Sequence, residues 1–404
     1  MKKLRIMCLI LIGVLFSLYG FSNTDPRIKM FEKMKGGSGK LEKNTVKIPF
    51  KIKSSHIMFI KVKINDQKEK QLFVFDTGGV TMLDKSYAEK CNLKIEHLFK
   101  DKFYTFTNKI KFNGAEITDY KPFVIDFRKK FRDVGKNSDT ILYGMIGCDI
   151  FRFFKVTIDY QKCNIILTDS DNQLEAKGDN QALFEMNLLL PYHPCINIDF
   201  GNNFILPGRI DTGLHYAIVL PIHLIDKLND VEKKKLIKSK GHFAQWPDTK
   251  IEYNYLYKFK KIKIGKFKLI NQAVLFADLP MFADKDFTLI GKHFLENYKT
   301  EMDFKNRKVL LTKINESNNK SLLFSVGTNI IKEGDKVLIK GIWKNSPADK
   351  KGLKIGDEIT NINEKSAEEL NNKIIYNILM NKDITEIELK VKNKKIVLRK
   401  EILL

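Results

Sequence analysis

A chain of 404 residues has room for two or three domains, each with its own buried core. With 43% hydrophobic and 29% charged residues, the composition excludes an intrinsically disordered chain. The formal net charge of +23 raises the question of nucleic-acid binding. Because lysine is spread over every segment and no motif combines aromatic with basic residues, the charge indicates solvated surfaces, and no nucleic-acid partner is expected.

Residues 1–22 have the pattern of a secretory signal peptide. A positively charged start is followed by an apolar stretch over 6–18, and the small residues Gly20 and Ser22 mark its end. The apolar stretch is shorter than a membrane span requires. We therefore predict a protein secreted across the inner membrane, periplasmic or extracellular, with an uncleaved N-terminal membrane anchor as the alternative. Such a compartment permits disulfides, but the sequence does not choose among the pairings of Cys91, Cys148, Cys163 and Cys195.

A first domain is predicted over residues 44–170, after a polar, glycine-rich stretch at 23–43 that predicts a flexible linker. A helix is predicted from Asp84, a suitable N-cap, to Asn92. Hairpins follow over 103–126, with a turn at Asn113-Gly114. The domain opens with three apolar strand patterns, at residues 46–52, 57–64 and 71–75.

The third strand pattern runs into Asp76-Thr77-Gly78, and the same tripeptide returns at Asp211-Thr212-Gly213. Each copy leads to a similar block of sequence, 145–168 in the first case and 289–312 in the second. The blocks align without a gap at an offset of 144, which is the distance from Gly147 to Gly291. The chain therefore contains an internal duplication, and a second domain is predicted over 181–315.

The second copy differs from the first by an insertion. Asp211 and Gly291 are 80 positions apart, against 71 for Asp76 and Gly147, so the second copy has nine extra residues, placed around 241–249. Before the insertion, a helix is predicted from Pro221 to about Lys238. Hairpins are predicted after it, over 242–276.

A third unit occupies residues 320–404. It contains Ser346-Pro347-Ala348, Gly352-Leu353 and Gly356-Asp357-Glu358-Ile359 at a spacing that resembles the PDZ family. A helix over about 367–379 and strands over 384–402 complete such a domain. The loop that binds a C-terminal carboxylate in that family usually carries glycine, whereas this chain has Leu322-Leu323-Phe324. Two roles therefore stay open for this unit, binding of a C-terminal peptide and docking within the chain.

Two aspartates on equivalent turns of two similar lobes can meet across a twofold axis. At close approach they cannot both stay ionised, so they share one proton. One carboxylate can then deprotonate a water molecule while the other protonates the carbonyl oxygen of a peptide bond. This pairing is general acid–base hydrolysis without a covalent intermediate.

Asp-Thr-Gly and the downstream block that contains Gly147 or Gly291 occur in both halves of residues 44–315. In this respect the region resembles an aspartic protease, in a bacterial, retropepsin-like form with two lobes in one chain. The resemblance implies a mainly β, two-lobed fold with pseudo-twofold symmetry, followed by a small α+β PDZ domain. It implies a monomeric endopeptidase without metal or cofactor, acting on extended peptides or proteins. It also implies that Asp76 and Asp211 are catalytic, with loop support from Thr77, Gly78, Thr212, Gly213, Gly147 and Gly291.

Two aromatic residues are further candidates for contact with substrate. A hairpin around 102–109 occupies the position of the flap in the family, and Tyr104 is either its substrate-facing aromatic or a core residue. Trp246, in the inserted region, is a candidate for lining the pocket. A catalytically silent peptide-binding scaffold is the alternative function, and the presence of both aspartates favours the enzyme.

The residue after each Asp-Thr-Gly bears on the pH dependence. In pepsin-like enzymes this position often carries a hydroxyl group that can stabilise the charged carboxylate and lower its pKa. Here the position holds Gly79 and Leu214, which have no hydroxyl. We therefore expect the pair to keep its shared proton to higher pH, with an optimum at about pH 5–6.5.

Overall fold

The computed structural model describes residues 36–52, 57–99, 102–131, 140–189, 192–241, 243, 253–279, 282, 285–315, 324–381 and 383–404. The predicted signal peptide, residues 23–35 of the predicted linker and Trp246 lie outside these ranges. The described chain is mainly β. None of the helices in these ranges has both the length and the apolar character needed to cross a membrane.

The first lobe comprises residues 36–168. Its helices are α1 (Lys85–Lys90), α2 (Phe127–Lys130) and α3 (Cys148–Phe151). Its strands are β1 (Ser38–Leu41), β2 (Thr45–Pro49), β3 (Lys51–Ile52), β4 (Met58–Ile64), β5 (Gln71–Asp76), β6 (Met82–Asp84), β7 (Ile95–Phe99), β8 (Lys102–Thr105), β9 (Thr107–Phe112), β10 (Ala115–Tyr120), β11 (Phe123–Ile125), β12 (Gly144–Gly147), β13 (Lys155–Asp159) and β14 (Asn164–Thr168).

The second lobe comprises residues 181–313. It has a 3-10 helix at Ile222–Lys227 and two short α-helices, α4 (Asp230–Lys233) and α5 (Lys292–Leu295). Its strands are β15 (Gln181–Glu185), β16 (Asn187–Leu189), β17 (His193–Asp199), β18 (Ile205–Ile210), β19 (Ile218–Pro221), β20 (Ile237–Gly241), β21 (Tyr255–Ile264), β22 (Phe267–Ala277), β23 (Thr288–Ile290), β24 (Tyr298–Asp303) and β25 (Lys308–Lys313).

The PDZ unit comprises residues 324–402. Its helices are α6 (Pro347–Lys350) and α7 (Asn372–Met380). Its strands are β26 (Phe324–Ser325), β27 (Thr328–Glu333), β28 (Lys336–Trp343), β29 (Glu358–Ile362), β30 (Lys365–Ser366), β31 (Glu386–Val391), β32 (Lys394–Arg399) and β33 (Glu401–Ile402). Isoleucine, leucine and valine side chains from these strands and from α7 form a core that belongs to this unit alone.

A central sheet of six strands joins the two lobes, in the order β15-β25-β24-β13-β14-β2. Three strands come from each lobe, and β13 and β24 pair antiparallel at the middle. In that pair Thr157 lies opposite Glu301, and these two residues are separated by the repeat offset of 144. The pairing therefore places a local twofold axis between equivalent residues of the repeat.

The same order of strands surrounds each Asp-Thr-Gly loop. In the first lobe β5 pairs parallel with β12, which pairs antiparallel with β6, which pairs parallel with β11. In the second lobe β18, β23, β19 and β22 repeat these pairings in the same directions. Asp76 is the last residue of β5, and Asp211 directly follows β18. Each of these inner strands pairs with the strand that opens the downstream block of its lobe, β12 before α3 and β23 before Gly291. The outer hairpins also correspond, β7–β8 in the first lobe and β20–β21 in the second.

The PDZ unit docks on the second lobe through continuous strand pairing. Strand β20 pairs antiparallel with β28, with Ser239 opposite Trp343 and Gly241 opposite Gly341. The indole of Trp343 is 2% exposed and packs with second-lobe residues instead of the PDZ core. We call this group the bridging cluster; its buried members are Val219, Leu256, Leu275, Ala277, Leu279, Phe282, Phe287, Leu289 and Trp343.

Some local predictions are confirmed. Asp84 caps α1 by accepting a hydrogen bond from the N–H of Tyr87. The predicted turn lies between β9 and β10, where Asn113 and Gly114 both have positive φ. The predicted PDZ helix begins later than expected, because Asn371 caps α7 by accepting the N–H of Ile374.

Two other predictions are wrong. The predicted flexible linker contains β1, which pairs with β10, and a Cβ on Gly39 would lie 2.6 Å from the Cβ of Phe153. Glycine at this position therefore permits close packing. The helix predicted over 221–238 is interrupted at Leu228, and Ile237 opens β20 instead. Pairing of β20 with strands on both sides outweighs the local helical pattern there.

Candidate functional site

The two aspartates lie together where the lobes meet. Both side chains are buried, and both accept from the same backbone donor: the N–H of Gly213 lies 3.0 Å from Oδ1 of Asp76 and 3.1 Å from Oδ1 of Asp211. The N–H of Gly78 donates to Oδ1 of Asp76 at 2.7 Å. Residues 135 positions apart in sequence therefore form one pair of carboxyl groups.

Reciprocal threonine contacts hold the two loops against each other. The N–H of Thr77 donates to Oγ1 of Thr212 at 3.0 Å, and the N–H of Thr212 donates to Oγ1 of Thr77 at 3.1 Å. The Thr77 hydroxyl donates to the carbonyl of Ile210, and the Thr212 hydroxyl approaches the carbonyl of Phe75. Each lobe thereby satisfies buried backbone groups of the other, which fixes the distance between the carboxyl groups.

The glycines of the motifs are required by space. A Cβ on Gly78 would lie 2.1 Å from Cγ of Asp211, and one on Gly213 would lie 2.5 Å from Oδ2 of Asp76. The glycines of the downstream blocks are equally crowded, since a Cβ on Gly147 would meet the backbone of Val80 at 2.4 Å. A Cβ on Gly291 would lie 2.1 Å from the carbonyl oxygen of Tyr216, which follows the second loop.

Burial sets the protonation of the pair. Burial, and next the charge of Asp211, raise the pKa of Asp76 to about 7, against the opposing effect of the N–H groups of Gly78 and Gly213 and the charge of Arg209. Burial also raises the pKa of Asp211, while Arg209, the N–H of Gly213 and a hydrogen bond from Asp76 lower it. Both carboxyl groups therefore hold a proton to higher pH than free aspartates do, and the nearby charge of Arg209 favours the ionised form of Asp211.

Arg209 breaks the symmetry between the two carboxyl groups. Its side chain is buried, and Nη2 lies 3.8 Å from Oδ2 of Asp211. The equivalent position two residues before Asp76 is the apolar Val74. Sequence reasoning missed Arg209; a comparison of the residues flanking the two motifs would have found it.

A second group missed from the sequence supports the first loop. Asp149 is buried. Oδ1 of its carboxylate accepts two hydrogen bonds from Thr81, one from the N–H at 2.9 Å and one from the hydroxyl at 2.7 Å. The hydroxyl of Tyr120 donates to the other oxygen. Because the N–H of Gly147 donates to Oγ1 of Thr81, this network ties the downstream block to the loop that carries Asp76. His293 stands at the equivalent of Asp149 in the second lobe, so the repeat did not reveal it.

A cavity of about 210 Å³ opens in front of the two aspartates. Its walls are mostly apolar and include Met145, Leu214, Leu275 and Leu289 from the lobes. Residues of the PDZ unit line it as well. The pair of carboxyl groups thus faces a space that is suited to uncharged side chains.

The aromatic candidates have different outcomes. Among the described residues that line the cavity, Tyr104 is absent; its hydroxyl donates to Oε2 of Glu96 at 2.6 Å within the β7–β8 hairpin. The tip of that hairpin, 100–101, lies outside the described residues, so contact between Tyr104 and substrate stays a prediction. Trp246 also lies outside them, but Phe243, close to it in sequence, lines the cavity and packs on Trp343 with ring centroids 4.6 Å apart.

Metal-ligating side chains do not converge in the described part of the chain, where no group of three or more His, Cys, Asp or Glu residues has the arrangement of a metal site. Within the same ranges the four cysteines are free thiols. Cys148 donates to the carbonyl of Gly79 beside the first loop, and burial raises the pKa of its thiol well above the usual range. Cys91, Cys148 and Cys195 are buried packing residues, whereas Cys163 is exposed.

Comparison with known protein families identifies a PDZ domain over residues 313–392. The resemblance noted over 320–404 is therefore confirmed for this part of the chain, and the family generally binds C-terminal peptides. No curated protein matches the chain.

Proposed function

We propose that this chain is a secreted aspartic endopeptidase, which hydrolyses peptide bonds with a water molecule activated between Asp76 and Asp211. One observation carries the proposal: two buried carboxyl groups on duplicated loops share the N–H of Gly213 as a donor. Burying a carboxylate destabilises the folded state unless the group is paired or hydrogen-bonded, so two buried carboxyl groups side by side call for an explanation. Strongly perturbed pKa values cluster at functional sites. The mostly apolar cavity in front of the pair supplies room for substrate.

In the proposed mechanism the two aspartates have different roles at the start. Asp211, ionised beside Arg209, accepts a proton from the attacking water. Asp76, which carries the shared proton, donates it to the carbonyl oxygen of the scissile peptide bond. The product is a neutral tetrahedral diol, because one proton has left the water and one has reached the oxygen.

Collapse of the diol completes the cycle. The proton now held by Asp211 passes to the leaving nitrogen, so the departing group is a neutral amine. Asp76 takes a proton back from a hydroxyl of the diol as the carbonyl of the new carboxylic acid re-forms. The buried threonine contacts keep both carboxyl groups in place through these transfers, which need positioning more than movement.

The proposal is tested by incubating residues 23–404 with an unbiased mixture of peptides between pH 4 and 8 and identifying the products by mass spectrometry. We expect internal cleavage that a statine-containing peptide inhibits, since its hydroxyl group mimics the diol. Absence of cleavage across this range would favour the alternative, a catalytically silent peptide-binding scaffold. Cleavage that a metal chelator abolishes would also count against the proposed mechanism.

Replacing Arg209 by Met should move the pH profile of kcat/KM upward. Both aspartates lose a nearby positive charge, so their pKa values rise and the shared proton is kept to higher pH. The alkaline limb, set by loss of the proton from Asp76 near pH 7, is expected to shift upward by about one pH unit. The measurement is kcat/KM from pH 3 to 9 for one peptide.

Arg128→Met is the matched control, because Arg128 lies beside the carboxylate of Asp84 in the first lobe. Its pH profile should coincide with that of the parent. An alkaline limb that stays in place in Arg209→Met would contradict the assigned protonation. Gly79→Ser would introduce the missing hydroxyl beside the first loop, but it is less suitable as a test because a Cβ at this position would lie 2.4 Å from Sδ of Met145.

Activity per molecule should not depend on dimerisation, because Asp76 and Asp211 belong to one chain and the central sheet holds their lobes together. We expect constant specific activity over a dilution series from micromolar to nanomolar protein. The measurement is the initial rate divided by protein concentration, with carrier protein present to prevent adsorption. A steep fall on dilution would indicate that the working site forms between two chains.

A further inference from the structure

The cavity in front of the aspartates has walls from two parts of the chain. Asp76 and Asp211 lie on the lobes, whereas other lining residues belong to the PDZ unit. No lysine or arginine is among the described residues that line it, although the chain as a whole has a net charge of +23. The residues that β27 and α7 contribute are Thr328, Asn329, Tyr376, Leu379 and Met380.

Helix α7 divides its side chains between two environments. Ile375 and Ile378 are buried in the core of the PDZ unit. Tyr376 and Met380 point to the cavity, and the ring of Tyr376 lies 6.3 Å from that of His215, four residues after Asp211. Burial raises the pKa of Tyr376 to about 12. Changes at Tyr376 and Met380 therefore alter the cavity without removing members of the buried PDZ core.

The edge of β27 is partly occupied by the chain itself. PDZ domains bind a peptide as an added strand, which needs unpaired backbone groups along the receiving strand. Here the side chain of Asn372 accepts the N–H of Lys332 at 2.6 Å and donates to the carbonyl of Lys332 at 3.1 Å. An added strand cannot pair at Lys332 while these bonds are present. The part of β27 that reaches the cavity is its other end, at Thr328 and Asn329.

The position of the PDZ unit is fixed by strand pairing and by buried contacts. Strand β28 continues the sheet of the second lobe through β20, and Trp343 is buried in the bridging cluster. Leu403 and Leu404 pack against the same cluster. The walls of the cavity are therefore held together by an interface that belongs to the folded chain.

We propose that the PDZ unit forms part of the substrate site of the enzyme, with Tyr376 and Met380 contacting a large apolar side chain of the peptide on one side of the scissile bond. This inference rests on the proposed function, since the peptide is placed by the two aspartates. The occupant is an extended peptide with an uncharged apolar residue such as Phe or Leu beside the bond that is cut. The apolar walls, and the absence of lysine and arginine from the described residues that line them, favour this chemistry over an acidic peptide.

The test uses two sets of peptides that differ only in having Phe or Ala at each position that flanks the cleavage site. For the parent, Phe should be preferred over Ala at one flanking position by at least about 10-fold in kcat/KM, as expected for several methylene equivalents in an apolar pocket. Tyr376→Ala and Met380→Ala should each reduce this preference several-fold on that side only. Tyr376→Phe should restore it, and Lys373→Ala, at an exposed position of the same helix, is the matched control.

Binding gives a readout that does not need cleavage. Calorimetry with Asp76→Asn protein measures the Kd of the uncleaved Phe peptide with and without Tyr376→Ala, and weaker binding in the double variant is expected. If the parent cuts no peptide but this difference in Kd is found, the proposed function fails and the assigned binding site stands. If cleavage is normal and neither alanine variant changes the Phe preference, the inference is overturned and the function stands. Equal acceleration of all peptides by Tyr376→Ala would also overturn it, because α7 would then block the site without selecting.

Discussion

Asp76→Asn is expected to lower kcat/KM for peptide cleavage by roughly 1000-fold or more, because a positioned acid–base group contributes about 10²–10⁴-fold. The amide keeps an oxygen that can accept the N–H groups of Gly78 and Gly213, so the loops should retain their geometry. It cannot give up the proton that Asp76 holds near neutral pH. Asp211→Asn should have a loss of the same order, and the double variant should fall little further because the two residues act as a unit.

Thermal unfolding separates this loss of chemistry from a loss of fold. The pKa of Asp76 is raised from 3.8 to about 7 in the folded protein, so the folded form binds this proton more tightly than the unfolded chain does. The associated stability is present below about pH 4 and is lost as pH rises through about 7. Asp76→Asn protein should therefore unfold at a higher temperature than the parent at pH 8, with the difference vanishing at pH 3.

Asp171→Asn is the control, since Asp171 is an exposed residue that pairs with Lys305 and is not among the described residues that line the cavity. Its activity and unfolding temperature should match those of the parent. Cleavage by both single variants at the parental rate, from protein free of the parent, would rule out the assignment of the pair.

Trp343→Ala is expected to lower the free energy of unfolding by about 3–5 kcal/mol, the usual cost of removing a large buried aromatic side chain. The indole is 2% exposed and packs with Phe243 and with second-lobe residues of the bridging cluster. The loss therefore affects the contact between the PDZ unit and the second lobe. The measurement is equilibrium unfolding in urea, followed by far-ultraviolet circular dichroism.

The control is Val397→Ala, a small change at a position of β32 that is 43% exposed. It should lower the free energy of unfolding only slightly. Trp343→Phe should recover part of the lost stability, because it refills much of the volume. A change below about 1 kcal/mol for Trp343→Ala would mean that the indole is not buried between the units in solution.

The carboxyl pair and its supports could be predicted from the sequence because they lie in short motifs that occur twice. The glycine of each Asp-Thr-Gly is needed where the two loops approach each other, because a Cβ there would clash with the opposite aspartate. A second copy of the motif, followed by a matching block, implies a twofold arrangement. In the structure Asp76, Thr77, Asp211 and Thr212 lie together. Arg209 and Asp149 were missed for the opposite reason, since each stands where the other copy has a different residue.

What the sequence by itself determined is thus the internal repeat, the pair of aspartates and the presence of a PDZ unit, since each depends on residues close together in the chain. Only the tertiary structure decided where the PDZ unit lies. Its position depends on pairing between β20 and β28, which are about 100 residues apart in sequence, and β20 lies in a segment whose local pattern favours a helix. Local periodicity carries no information on which edge strand receives a partner, so the shared wall of the cavity appears only when the whole chain is folded.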